Sequence, residues 1–421
     1  MGYAISKITN NVLLSIKPDE TERKNEISFA NWVIKKLKRI TRARVVLTGS
    51  VAKGTFLKDT ADLDIFVLFP RSIEKIQFKE KIETIVKKAF PHEKQVLSYA
   101  EHPYVRLFIN GKRIDVVPAY AITASSELGS AVDRSVLHTK FILQSVSKKQ
   151  RDDVLLLKKF LRSAELYGAE IKVQGFSGYL CELLILRYGN FARAMRSMTK
   201  YKLPIFIDIR RFYKSKEEKI QAVRRFSSEL IVIDPTDKNR NVAAAVSIGS
   251  LKQCIRIAGL FIKRPSVRFF GVPKTFQEKI KQLKNSYLIS IKKPQIVDDV
   301  LWGQIRKLER LLIGFLKRHD FQVRKIVIDA EKNIQIVITF KENELADKKL
   351  LIGPGLKLKH NVTQFKKAHP HSKFIIKNRR VCAFVTREIQ MIDEALKVFF
   401  KKTELPSHLN KKTVKISKND Y

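Results

Sequence analysis

The chain has 421 residues, about three times the ~150 of an ordinary domain, so two to four domains are expected. Its 83 Lys and Arg outweigh 41 Asp and Glu, giving a formal net charge of +42, while 44% of residues are hydrophobic and 29% are charged. That balance excludes a disordered chain, and the excess charge calls for a polyanionic partner, nucleic acid ahead of an anionic membrane surface.

Asp19 and Glu22 have the spacing of a capping box, and Ile27, Ala30, Ile34 and Leu37 follow at helical spacing. This predicts an amphipathic helix with Trp32, Lys35, Lys36 and Lys38 on its other faces. Val45-Val46-Leu47 reads as a short buried strand, broken into a turn by Gly49-Ser50. Asp62 to Phe69 reads as a second strand ended by Pro70, and residues 72–89 as a helix with Ile73, Ile76, Phe78, Ile82 and Ile85 apolar. Tyr104 to Ile109 and Lys112 to Val117 are strand-like runs joined by Asn110-Gly111, which supplies the positive φ angles of a type I′ hairpin. Residues 1–150 are expected to form a mixed α/β domain.

From residue 152 the period becomes helical, through Val154, Leu155, Leu157, Phe160, Leu161 and Ala164, then over 178–198 and 243–262. A helical domain over 151–265 is expected, with Pro265 and Gly271-Val272-Pro273 marking its end. In residues 266–421, Val323 to Ile328, Asn333 to Phe340, Phe374 to Ile376 and Val381 to Val385 alternate as strands, flanked by helices at 299–318 and 388–402. Strands with helices on one face suggest an RNA-binding module, so the fold class expected is multidomain α+β. From about Ser407 the chain is polar and Lys-rich and is expected to fray.

The charge runs through the whole chain: +11 over residues 1–150, +12 over 151–265 and +19 over 266–421. A membrane anchor would concentrate it in one amphipathic helix or tail, so a long polyanion touching several domains is favoured. No run of 18 uncharged apolar residues exists, so no membrane span is expected. The start, Met1-Gly2-Tyr3-Ala4-Ile5-Ser6, lacks the apolar stretch of a secretory leader and fits a loose myristoylation pattern short enough to arise by chance. Cys181, Cys254 and Cys382 are widely spaced, which fits a reducing cytoplasm with neither a disulfide framework nor a zinc site.

Asp62 and Asp64 are two apart on one strand, so both carboxylates project to the same face. The Asn-Gly hairpin brings a third, Asp115, on a neighbouring strand. Three converging carboxylates repel one another unless a divalent cation intervenes, and magnesium takes oxygen ligands while sharing its shell with phosphates. Gly49 allows close backbone approach to a phosphate, Ser50 adds a hydroxyl and an N–H, and Lys53 stands one turn further on. Alone, a Gly-Ser is usually a turn and an Asp-x-Asp a solvated strand face. Their conjunction in a strongly basic chain points to phosphoryl chemistry.

This conjunction resembles the nucleotidyltransferase superfamily that includes DNA polymerase β and poly(A) polymerases. The stretches GSVAKGTFLKDTADLDIFVLFP (49–70), YAEHPYVRLFINGKRIDVVPAY (99–120), SAVDRSVLHTKFI (130–142), LLKKFLRSAELYGAEIKVQGFSGYLCELLI (156–185) and IDPTDKNRNVAAAVS (233–247) are similar to archaeal-type, class I CCA-adding enzymes. Weaker similarity runs through VDDVLWGQIRKL (297–308) and GPGLKLKHNVTQF (353–365).

The resemblance implies stepwise addition of C, C and A to the 3′ end of tRNA from CTP and ATP, without a nucleic-acid template, in the cytoplasm. It implies that Asp62 and Asp64 hold Mg2+, with Asp115 sharing the metal site and activating the 3′-hydroxyl, and that Gly49, Ser50 and Lys53 hold the triphosphate. The family usually has Arg where Lys53 stands, so a bidentate contact becomes a point charge. His138, Lys158, Tyr167 and Arg240 match further nucleotide-contacting positions. Each has a plainer reading: His138 capping a helix, Lys158 and Tyr167 on roughly similar helix faces at the surface, Arg240 paired locally with Asp234 or Asp237. A head over 1–150, a helical neck over 151–265 and a basic body and tail over 266–421 are implied, the last gripping the acceptor and TΨC stem by shape and phosphates. A homodimer is one assembly open to such a chain. A poly(A) polymerase or a non-catalytic RNA-binding relative are the rival functions.

Overall fold

Residues 2–58, 60–99 and 102–419 are described by a computed structural model, and the chain divides at Pro273 into two units, 1–273 and 274–421. The residues expected as separate head and neck domains lie together in the first.

The first unit opens with α1 (Gly2–Ile16), which the sequence pattern did not reveal; its Ile5, Val12 and Ile16 are buried in the core of the helical region. α2 (Glu20–Lys38) begins at the predicted capping box: the Asp19 carboxylate accepts from the Glu22 N–H at 2.7 Å, and Glu22 accepts from the Asp19 N–H at 2.9 Å. Its buried residues are Ala30, Val33 and Leu37, so Ile27 turns outward, contrary to the expected stripe. Then follow β1 (Arg44–Thr48), α3 (Gly49–Lys53), β2 (Leu63–Phe69), α4 (Phe78–Ala89), β3 (Lys94–Tyr99), β4 (Pro103–Ile109) and β5 (Lys112–Tyr120). Gly49-Ser50 thus opens a short helix where a plain turn was expected.

The five strands form one mixed sheet in the order β1-β2-β5-β4-β3, with β2 and β5 parallel and the other pairs antiparallel. Asn110 and Gly111 both take positive φ, as the type I′ reading requires. Leu63, Ile65, Val67, Val105, Leu107, Ile114 and Val116 bury one face of the sheet with α2 and α4. Period-2 alternation leaves Asp64, Phe66, Arg106, Asp115 and Val117 on the other.

The rest of this unit is α5 (Arg134–Ser145), α6 (Lys148–Ser163), α7 (Gly178–Tyr188), α8 (Phe191–Met198), β6 (Ile205–Ile207), α9 (Lys216–Phe226), β7 (Leu230–Asp234), β8 (Asp237–Asn241) and α10 (Ile248–Lys263). The span 178–198, expected as one helix, is two: Gly189 takes φ +87° and Asn190 caps α8 by accepting from the Arg193 N–H at 2.8 Å. β6, β7 and β8 form a small sheet inside a region expected to be helical. Phe160, Phe191, Phe261 and Phe270 pack ring against ring at the centre of its core.

The second unit holds α11 (Phe276–Ile280), β9 (Ser286–Lys292), α12 (Asp298–Arg318), β10 (Val323–Asp329), β11 (Asn333–Phe340), β12 (Lys348–Gly355), α13 (Lys359–Ala368), β13 (Lys373–Lys377), β14 (Arg380–Thr386), α14 (Ile392–Lys402) and β15 (Lys415–Asn419). One antiparallel sheet, β10-β11-β9-β15, buries Ile289, Ile291, Ile334, Ile336 and Ile338 with α12 and α14, while Val327 and Val337 meet Ile280 of α11. Both faces are therefore covered, not one. As far as Asn419 the C-terminal stretch is ordered, contrary to expectation: β15 pairs with β9, and the Asn419 side chain donates to Ser286 Oγ at 2.8 Å. A second sheet, β12-β14-β13, completes the unit.

Candidate active site

The β2–β5 register sets Asp64 directly across from Asp115 on parallel strands. Asp62 stands just before β2. Gly49, with φ +71°, presses the start of α3 onto this carboxylate pair; a Cβ built there would land on the Asp64 carboxylate oxygen, so only glycine fits. Burial pushes the Asp64 carboxyl up to about 6, Asp115 and Asp62 add to the rise, and Lys53 and Arg113 oppose it.

Two arginines attend the outer carboxylates. Arg106, the cross-strand partner of Asp115, donates to it from Nε at 2.7 Å and from Nη2 at 3.0 Å. Arg113 pairs with Asp62. Asp64 has no ion pair among the described residues. With two carboxylates drawn to guanidinium groups, no group of three or more His, Cys, Asp or Glu among the described residues stands arranged as a metal cage. The donor set fits a hard divalent cation all the same: all donors are carboxylate oxygens, and the central one carries charge that its surroundings leave uncompensated.

Lys53 and Lys158 are buried, and both ammonium groups have partners within the protein. Lys53 Nζ lies 2.6 Å from Glu182 Oε2; Lys158 Nζ donates to the Thr55 carbonyl at 2.8 Å; and the Thr55 hydroxyl donates to Glu182 Oε1 at 2.7 Å. Burial alone would raise the Glu182 carboxyl, but Lys53 and Lys158 hold it below its usual range. Tyr167 lies beyond the end of α6, in a bridge to Phe176, so it does not share a helix face with Lys158 as expected. Both side chains nonetheless approach Gly178, where a Cβ would stand 3.1 Å from the Tyr167 hydroxyl and 3.4 Å from Lys158 Nζ.

His138 and Arg240 form a second cluster around the buried Asp234. His138 Nε2 lies 2.7 Å from Asp234 Oδ2, Arg240 Nη1 donates to the same oxygen at 2.9 Å, and Tyr179 and Thr236 donate to Oδ1 at 3.2 and 2.8 Å. The local pairing of Arg240 weighed from sequence is therefore present. The His138 ring stacks on Tyr179 with centroids 3.9 Å apart and planes 17° from parallel. Burial holds the imidazole below its ordinary value, against the pull of Asp234. For Asp234, burial would raise the carboxyl, but His138 and the Thr236 hydrogen bonds keep it well below the usual range.

Two cavities flank Asp64 and α3. One, of about 480 Å³, is lined by Asp64, Asp115, Lys53, Phe66, His138 and Tyr179 among others. The other, of about 560 Å³, is lined by Ser50, Asp62, Asp64, Lys158, Tyr167 and Arg162 among others. The first presents mostly apolar surface and the second mostly polar surface. Sequence reasoning missed Glu182, Tyr179, Arg106 and His102. A lone carboxylate inside the apolar run Leu180-Cys181-Glu182-Leu183-Leu184 was the available signal for the first. His102 donates from Nε2 to the Pro118 carbonyl at 2.7 Å, leaving its buried Nδ1 without a partner among the described residues.

A mixed sheet carrying opposed aspartates on parallel strands beside a glycine-opened helix defines a nucleotidyltransferase of the polymerase β type. Residues 30–138 match the family described as nucleotidyltransferase domain. The fold is also that of the Cid1 poly(U) polymerase bound to MgATP, with TM-score 0.51 and 16% identity over 64% of this chain and 99% of that one. A cytoplasmic RNA terminal U-transferase gives TM-score 0.50 at 17% identity, over 65% of this chain and all of that one. Nucleotidyltransferases of this fold generally use divalent metal ions.

The remaining matches are more specific. Residues 152–271 match tRNA nucleotidyltransferase, second domain, and residues 284–416 match CCA-adding enzyme, C-terminal domain. A CCA-adding enzyme of Methanococcus maripaludis strain C7 is 36% identical over 91% of this chain and 89% of its own, and one of Methanocaldococcus jannaschii 33% over 98% and 95%. One of Sulfurisphaera tokodaii is 35% identical over 85% and 83%. The chain belongs to the archaeal-type CCA-adding enzymes, a family of tRNA nucleotidyltransferases. No helix among the described residues is long and apolar enough to cross a membrane.

Proposed function

We propose that this chain adds C, C and A in turn to the 3′ end of tRNA, from CTP and ATP and without a nucleic-acid template, releasing pyrophosphate at each step. The observation that carries this reading is the Asp64–Asp115 register beside Gly49, in a chain of net charge +42. Asp62, Asp64 and Asp115 are the residues that would hold Mg2+, which when bound supplies positive charge at the phosphates. Asp115 orients the terminal 3′-hydroxyl and takes its proton as the oxygen attacks the α-phosphorus in line and the bond to pyrophosphate breaks. Gly49 and Ser50 bring backbone and hydroxyl to the triphosphate, and Tyr167 closes the polar cavity over it.

Lys53 and Lys158 act in this reading by holding α3 and the Thr55 loop rigidly against Glu182. Asp234 locks His138 and Arg240 into one orientation, which suits reading a base edge by fixed donors. The chain is taken to work as a head (1–150), a neck (151–265) and a basic body and tail (266–421) that grips the acceptor and TΨC stem through phosphates. Three buried free thiols accord with a cytoplasmic enzyme. A homodimer is compatible with the same chemistry.

The test is to incubate the protein and magnesium with tRNA lacking CCA, CA or only the final A, supplying each nucleoside triphosphate separately. Stepwise C, C and A with termination is expected. An open-ended A tail would favour a poly(A) polymerase, and no addition at all a non-catalytic RNA-binding relative.

A further inference from the structure

The polar cavity beside Asp64 does not end at the carboxylates. It shares Leu57, Thr60 and Arg162 with a neighbouring groove of about 300 Å³, whose walls continue through Lys58 and Lys159 to Pro273. The path grows more cationic outward. Its inner end sets Asp62, Asp64 and Glu170 against Arg113, Lys158 and Arg162, whereas Lys58, Lys159 and Arg162 line the outer groove with no carboxylate among the described residues.

Arg162 stands where the two meet. It lies one turn beyond Lys158 on α6. Lys53 and Lys158 are committed to Glu182 and Thr55, and Arg113 to Asp62, so these cations cannot readily follow a departing anion. The Arg162 guanidinium has no ion pair among the described residues, and neither has Lys159. Lys58, further out, is held by Glu22 at 2.9 Å.

We propose that this groove is the exit path of pyrophosphate, with Arg162 as its first contact and Lys159 as its second. The proposal rests on the nucleotidyl-transfer reading. As the 3′-oxygen bonds to the α-phosphorus, the bond from that phosphorus to its bridging oxygen breaks, and pyrophosphate leaves with the electron pair. The product is then drawn outward by a planar guanidinium suited to two phosphate oxygens at once. RNA phosphates could use the same cations, but the groove opens directly off the polar cavity that suits the triphosphate, which favours the smaller anion.

The experiment measures addition of the final A to tRNA ending in CC, with inorganic pyrophosphate as product inhibitor, for the wild type, Arg162→Ala, Lys159→Ala and Lys149→Ala, the last removing a like charge from α6 outside the groove. Loss of one charged hydrogen-bond donor should raise the pyrophosphate inhibition constant about tenfold in Arg162→Ala. A smaller rise is expected in Lys159→Ala and none in Lys149→Ala, with tRNA affinity unchanged and a lesser change in the KM for ATP. An unchanged inhibition constant overturns the proposal. So does an equal rise in the KM for ATP, which would make Arg162 a ligand of the bound triphosphate, or a fall in tRNA affinity, which would make the groove an RNA seat. Calorimetry of magnesium pyrophosphate on the same proteins separates the two readings: inactive wild type would sink the proposed function, while tenfold weaker pyrophosphate binding by Arg162→Ala would still support the groove.

Discussion

Lys53 Nζ meets Glu182 Oε2 at 2.6 Å although the two residues stand 129 positions apart, and both side chains are almost wholly buried. The pair ties α3, beside the candidate-site carboxylates, to α7 in the helical region. Removing one partner strands the other's charge in the interior. Glu182→Leu should cost about 3–5 kcal/mol, and the double change with Lys53→Met clearly less than the sum of the single ones. Urea unfolding of the four proteins measures this, and additive costs would refute the coupling.

Gly49→Ala should damage chemistry more than folding. A methyl group there displaces the Asp64 carboxylate, and misplacement by about 1 Å costs on the order of 10²-fold in rate. Single-turnover addition and thermal unfolding, compared on one preparation, test the split.

Asp64→Ala should lower nucleotide addition by about 10³-fold or more and leave tRNA affinity nearly intact. The proposed RNA grip is spread over a basic chain, with +19 on residues 266–421 alone. For the same reason tRNA binding should weaken steeply and linearly in log–log form as salt rises. Filter binding at several potassium chloride concentrations checks both; loss of binding by a folded Asp64→Ala protein would contradict the first.

His138 should make the protein acid-sensitive. Its folded-state value lies below the unfolded one, so its contribution is complete above about 6.5 and is lost as pH falls from there toward the folded value. His138→Gln should therefore flatten the stability profile below about pH 6.5. Chemical denaturation across that range reads it out, and an equally steep profile in the variant would rule His138 out.

The aspartates of the candidate site were legible because their signals are local. Asp62 and Asp64 follow the strand period, and Asn110-Gly111 determines how Asp115 returns. Glu182 and Asp234 were not legible as site residues, because their meaning lies in partners 129 and 96 positions away. The missed helix α1 shows the same limit, since its buried stripe makes sense only against the helical core it joins. Lys53 and Lys158 were found as basic residues near the site, but charge type alone did not reveal that a buried carboxylate had already claimed them.

The pairing of β9 with β15 sets an order of events during synthesis. Asn419 reaches Ser286 across 133 residues, so β9 emerges with one edge open and waits for nearly the whole second unit before its partner exists. Its sequence, Ser286-Tyr287-Leu288-Ile289-Ser290-Ile291-Lys292, is the kind of apolar edge that invites a neighbouring chain to add a strand. A chain cut after Thr413 would keep that edge open for good, and nascent chains share the exposure until β15 arrives.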